Sequence, residues 1–294
     1  MRFGKVADMR RFFSLLFIIG GLLLASYPWL SNFINERAVD GEINVYEENV
    51  QNMDEEKLEQ YFLDAQEYNA ALLDAKIALI DPFDAEFNKL YRDTPYNKLL
   101  NYDSQGVMGF LEIPAIKVKL PIYHGTSNSA LEKGVGHLEG TSLPVGGEST
   151  HSILTGHTGL NKAKLFTDLT SVQKGDLFFI TILNRKLAYV VDDINVVLPE
   201  DTSKLQIIEG KDYVTLITCT PYGVNDHRLL VRGARTEYTE EEYEGEQKKD
   251  NTKDSLWVSA YKKALAIGIG AVLVLLIFLL AVQKMRSRKE GLPK

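Results

Sequence analysis

Two stretches of nineteen residues without a single charge, Phe12 to Leu30 and Ala264 to Val282, bracket this 294-residue chain. About 20 apolar residues of helix cross the hydrocarbon of a bilayer, so each stretch is long enough to span one. Arg2, Lys5, Arg10 and Arg11 precede the first, and Lys284, Arg286, Arg288 and Lys289 follow the second. Positive charge stays on the cytoplasmic side, which puts both termini in the cytoplasm, the two stretches in the cell membrane and residues 31–263 outside. Lys262 and Lys263 lie on the wrong side for that rule and are outnumbered. The alternative for the first stretch is a cleaved signal peptide, but Ala25-Ser26-Tyr27 is a poor cleavage site, so it reads as a retained anchor.

An outward-facing domain is commonly reinforced by disulfides, yet Cys219 is the only cysteine and has no internal partner. An odd thiol of this kind is either a buried, inert side chain or a reactive one. The formal net charge of −7 leaves no basic surplus to release counterions from a phosphate backbone, which argues against nucleic acid. With 45% hydrophobic residues the chain can bury one core and still supply anchors and linkers.

Residues 52–80 carry apolar side chains at helical spacing (Leu58, Tyr61, Phe62, Ala65, Tyr68, Ala71, Leu72, Ala75, Leu79), with Asn52 or Asp54 as a cap and an acidic first turn. The helix is expected to stop before Asp81-Pro82-Phe83, because the residue ahead of a proline is pushed out of helical dihedrals. An extended polar stretch then runs to Ser104. From Gly106 the texture changes to short β-branched runs between Gly, Pro, Asn and Asp. Eight strands are expected, at 107–113, 116–123, 151–155, 177–184, 186–191, 194–198, 213–219 and 228–235, which predicts a mostly β, closed barrel. Residues 162–169 and 200–208 read as short connecting helices. Residues 237–246 hold six glutamates, and like charges at that density predict an extended spacer. The expected organisation is a tail and anchor (1–30), a helical region (31–105), a barrel (106–236), an acidic linker (237–263), a second span (264–283) and a basic tail (284–294).

Tyr213 to Thr218 form a strand that delivers Cys219 to its end, so the thiol is expected at a rim. The next strand begins at His227, and if the two pair as a hairpin Arg228 lies beside Cys219. A permanent cation there favours the thiolate and can bind an oxyanion, although a lone arginine is more often a surface ion-pair partner. His157 follows a strand end in the glycine-flanked sequence Thr155-Gly156-His157-Thr158-Gly159, with an imidazole suited to proton transfer near neutrality. His124, His137, His151 and His227 read as structural. The histidines lack paired ligand spacing, one cysteine cannot make a zinc cage, and Asp192-Asp193 reads as a turn, so a metal site is not expected.

Thr215-Leu216-Ile217-Thr218-Cys219, with Arg228 nine residues on, closely resembles the TLxTC signature of sortases. Leu154 to Gly159 resembles the histidine motif of that family, and Asp81-Pro82-Phe83 resembles the lid motif of its class C, pilus-assembling branch. The resemblance implies an eight-stranded sortase barrel and a thioester mechanism needing no cofactor. Cys219 would attack the Thr–Gly bond of an LPXTG-like sorting signal on a surface protein. His157 would serve as general acid and base, Arg228 as oxyanion and substrate contact, and a lysine of an acceptor pilin as the second nucleophile. Asp81 would meet Arg228, and Phe83 would cover Cys219, as an autoinhibiting lid. Two other readings compete: a non-enzymatic surface barrel with a silent thiol, and a cysteine protease that hands its acyl group to water.

Overall fold

The computed structural model describes residues 2–75, 79–83, 95–102, 106–159, 163–248 and 255–290; within its helices the side chains of 2–18, 22, 24, 74–75, 256–257, 260, 271, 275–276, 279–280 and 282–290 lie outside that description. Five α-helices are described: α1 (Arg2–Gln51), α2 (Glu55–Ala75), α3 (Asn128–Leu131), α4 (Glu240–Lys248) and α5 (Leu256–Glu290). The chain divides into two units, residues 1–26 with 254–294, and residues 27–253. In the first unit the Tyr261 hydroxyl donates to the Ala25 carbonyl. Among the described residues no helix is long and apolar enough to cross a membrane. Side chains outside the description make up 9 of the 19 residues of the first expected span and 6 of the 19 of the second, and the backbone is helical through both.

In the second unit eight described strands close into a barrel: β1 (Val107–Ile113), β2 (Val118–His124), β3 (Val135–His137), β4 (Thr150–Thr155), β5 (Leu177–Ile182), β6 (Arg185–Val197), β7 (Asp212–Thr220) and β8 (His227–Thr236), in the order β1-β2-β3-β4-β7-β8-β6-β5. The expected count is met by different members. The runs expected at 186–191 and 194–198 are one strand, β6, whose register against β8 shifts between Val191 and Asp193. A bulge of this kind breaks the period-two pattern without ending the strand. The strand that was not expected, β3, has only three residues, one of them glycine. The expected connecting helices shrink to single 3-10 turns at Thr167–Ser171 and Ser203–Leu205.

Strand alternation sorts the barrel. Val214 and Leu216 of β7, Leu229 and Val231 of β8 and Leu154 of β4 join the main core, whereas Ile153, Ile217 and Leu230 build a second cluster with Leu138 and Leu205. Helix α1 runs through residues 31–51, within the region expected to be helical, although the only helix given bounds there was 52–80. Its sparse apolar residues Val39, Ile43, Tyr46 and Val50 are buried at helical spacing. The Tyr46 hydroxyl donates to the Met108 carbonyl at 2.8 Å and accepts from the Leu183 N–H at 2.6 Å. Leu58, Phe62, Ala65 and Leu72 of α2 are buried in turn. Buried Asn69 completes that contact through both backbone groups of Leu143, at 3.0 and 2.7 Å.

The acidic segment corrects an expectation. Residues 240–248 are helical, not extended. Thr239 and Glu242 form a reciprocal cap: the Glu242 N–H donates to the Thr239 hydroxyl at 3.2 Å, and the Thr239 N–H donates to the Glu242 carboxylate at 2.8 Å. The helix docks on the barrel wall through Tyr243, whose ring meets Phe179 edge-on and lies under the Lys186 ammonium at 3.3 Å. The Tyr243 hydroxyl and the Gln247 amide both donate to Glu112, a buried carboxylate of β1. Capping and aromatic burial outweigh the repulsion among exposed glutamates, which water screens. Tyr243→Ala should therefore release α4, costing about 1–2 kcal/mol in urea unfolding and raising hydrogen exchange across 240–248; unchanged exchange there would show that Tyr243 does not hold the helix.

Candidate active site

The antiparallel β7–β8 register sets Cys219 opposite Arg228. Cys219 shares its strand face with Thr215 and Ile217, so its side chain belongs to the outer row and not to the barrel interior. The parallel β4–β7 register ends at the pair Thr155 and Ile217, and two residues further along each chain come His157 and Cys219.

The His157 loop is held on both flanks. The Gly156 N–H donates to the Ile217 carbonyl at 3.0 Å, and the Thr218 hydroxyl donates to the Gly156 carbonyl at 2.7 Å. A side chain at Gly156 would drive a Cβ to 2.7 Å from the Phe166 ring, which explains the glycine. Gly159, at φ +77°, turns the loop back, and its N–H donates to the Thr167 hydroxyl at 3.1 Å. The Phe166 N–H donates to the His157 carbonyl at 3.1 Å.

Asp81, Pro82 and Phe83 lie against this constellation. The Arg228 guanidinium donates through Nε and Nη2 to the two Asp81 oxygens at 2.9 and 2.6 Å. Its Nη1 donates to the carbonyls of Asn225 and His227, at 3.2 and 3.1 Å. The Phe83 ring centroid is 5.7 Å from that of His157 and 4.9 Å from the Arg228 guanidinium carbon. Phe83 and Leu79 pack on the outer cluster of Leu138, Ile153, Leu205, Ile217 and Leu230. Burial pushes the Cys219 thiol above its ordinary pKa; the Arg228 charge opposes that rise and the Asp81 carboxylate reinforces it.

A sortase-domain family model matches residues 111–236. Sortase D of Bacillus subtilis is 31% identical over 168 residues, covering 56% of this chain and 82% of the relative. Among solved structures, sortase C1 of Streptococcus agalactiae is 45% identical with a TM-score of 0.63, covering 69% of this chain and 98% of the other. Sortase C-1 of Actinomyces oris is 49% identical with a TM-score of 0.56, covering 62% and 99% respectively. The chain belongs to the sortase family. Its solved neighbours are class C enzymes, and it is a class C cysteine transpeptidase of the cell surface, with sorting-signal-bearing surface proteins as substrates.

The remaining histidines of the sortase are occupied elsewhere. His137 Nε2 donates to the Ser142 carbonyl at 2.8 Å, leaving Nδ1 to accept from the Tyr96 hydroxyl at 2.8 Å. His151 Nδ1 donates to the Gln206 carbonyl at 2.9 Å, so Nε2 accepts from the Thr215 hydroxyl at 2.7 Å. His124 bonds the carbonyls of Gly106 and Leu99, and His227 lies 2.8 Å from exposed Asp226. The signature residues thus have distinct jobs: Thr215 ties β7 to His151, Leu216 fills the core, and Thr218 ties β7 to the His157 loop. Phe166 and Thr167 are additions to the site that sequence reasoning missed, because their contacts arise only once the loop folds back. Among the described residues no cluster suited to a metal ion is present.

Burial lowers the pKa of His137 to about 3 and of His151 to about 4, from about 6.5 unfolded. The unfolded chain binds protons that the folded chain refuses, so stability is present above pH 6.5 and lost as pH falls. Between pH 6 and 5 the unfolding free energy should drop by up to about 1.4 kcal/mol for each of the two. Urea titrations at both pH values check this, and His151→Gln should remove about half of that histidine contribution; an unaltered pH dependence would refute the assignment.

Proposed function

We propose that this sortase cleaves an LPXTG-like sorting signal and joins the acyl fragment to a lysine of an acceptor pilin, polymerising pilus subunits. The observation that carries the reading is the Asp81–Arg228–Phe83 arrangement beside Cys219, together with the likeness to class C enzymes. A Streptococcus pneumoniae sortase C that is 44% identical to this chain has been described in terms of its pilin substrate specificity.

On this reading the Cys219 thiolate attacks the Thr–Gly carbonyl, and Arg228, once released by Asp81, donates to the oxyanion. His157 protonates the departing glycine amine, leaving a thioester on Cys219. Its neutral imidazole then accepts a proton from the lysine amine as nitrogen attacks, the C–S bond breaks and an isopeptide bond forms. The peptide bond cleaved supplies the energy for the bond made, so no cofactor takes part. Asp81, Pro82 and Phe83 act as a lid: a carboxylate on the arginine and a ring between imidazole and guanidinium keep the thiol protonated until a sorting signal displaces them. The apolar stretches 12–30 and 264–282 are proposed as membrane anchors, with both termini cytoplasmic and residues 31–263 outside.

Incubation with an LPXTG-type peptide and a lysine-containing peptide, followed by mass spectrometry, should yield a thioester on Cys219 and then an isopeptide product. Cys219→Ala should give neither, and a wild-type enzyme releasing only hydrolysed acid would favour the protease reading. Asp81→Ala or Phe83→Ala should raise the rate of Cys219 labelling by a thiol reagent by roughly tenfold, because both desolvation and the Asp81 charge hold the thiol up. Unchanged labelling would refute the lid.

A further inference from the structure

The bracket of Phe166 and Thr167 that holds the His157 loop is itself pinned to α1. The Lys164 N–H donates to the Asn32 side-chain oxygen at 3.0 Å, and the Lys164 carbonyl accepts from the Thr167 N–H at 2.9 Å. The Lys164 ammonium donates to the Ile116 carbonyl at 2.7 Å and pairs with Asp168 at 2.9 Å. Those two side chains are 20% and 4% exposed, so the pair is largely shielded from water and fixed in place. Asn32 is oriented in turn, because its amide nitrogen donates to Glu36 one turn along α1 at 2.9 Å, which leaves its oxygen for Lys164.

We infer that Asn32 and Lys164 are positioning residues for His157, transmitting the placement of α1 to the imidazole loop. The path is continuous: Asn32 oxygen to Lys164 N–H, Lys164 carbonyl to Thr167 N–H, Thr167 hydroxyl to Gly159 N–H, and Phe166 N–H to the His157 carbonyl. Gly156 and Gly159 leave the loop little stiffness of its own, so its geometry is borrowed from these bonds. Proton transfer depends steeply on that geometry, whereas binding of the sorting signal does not. The inference rests on His157 being the general acid and base.

The full-length enzyme, assayed with a sorting-signal peptide and a lysine acceptor, tests it. Asn32 borders a cavity of about 200 Å³ that also touches Asn35, Asp40 and Lys117, so its truncation widens an existing hollow and spares the packed core. Asn32→Ala should lower kcat by roughly tenfold while KM stays within about twofold. The double variant Asn32→Asp with Glu36→Gln, which keeps an acceptor facing Lys164 and a donor at position 36, should recover most of that loss. Asn35→Ala, on the same helix, should retain wild-type rates. A wild-type kcat in Asn32→Ala, or a loss that the double variant leaves unrepaired, would overturn the inference. His157→Ala separates the two claims: turnover surviving in it removes the acid–base reading, whereas a dead His157→Ala beside an unaffected Asn32→Ala removes only the positioning role.

Discussion

Everything at the site depends on the double register of β7, parallel to β4 on one side and antiparallel to β8 on the other. Because side chains alternate across a strand, one register choice sends Val214 and Leu216 inward and Thr215, Ile217 and Cys219 outward. A slip of one residue would turn the thiol into the core and separate it from Arg228. The register is guarded by large inward side chains, and on the outer row by polar bonds as well. Thr215 bonds His151, and Thr218, although of the other parity, lies where the barrel opens and bonds the Gly156 carbonyl.

That architecture explains which parts of the molecule were legible in the sequence. The strands around Cys219 and Arg228 could be read because Tyr213 to Thr218 are all β-branched, aliphatic or aromatic until the chain reaches the rim. Helix α1 beyond residue 31 could be placed only within a helical region and not delimited, because its four buried residues are diluted by charge and stand only every third or fourth position. The strand β3 is shorter than any pattern can register, and the bulge at Asp192 hides the unity of β6. The acidic helix carried a readable sign that composition overrode: Thr239 with Glu242 three residues on is a capping box, and Tyr238 and Tyr243 are its anchoring rings. The likeness of Asp81-Pro82-Phe83 to a family motif pointed to Arg228, a partner 147 residues away that local sequence could not supply.

The electrostatics around Cys219 follow from who holds the guanidinium. All three guanidinium nitrogens of Arg228 are engaged, Nε and Nη2 on Asp81 and Nη1 on the carbonyls of Asn225 and His227. A cation committed in that way does less for a neighbouring thiolate, and a nearby carboxylate works against it further. The same side chain therefore ties the electrostatics of the cysteine to the placement of Asp81.

The segment at 79–83 belongs to the same polypeptide as the groove it fills, and that has a consequence for competition. A ligand carried on its own receptor forfeits no translational freedom on binding and cannot be diluted away, so it acts at an effective concentration on the order of millimolar. On the proposed lid and anchor reading, a free peptide would have to outcompete that standing occupant, whereas a protein confined to the same membrane surface would meet it on nearly equal terms. Selectivity for crowded, surface-bound clients over stray peptides would then come from the shared tether, with no extra contact devoted to discrimination.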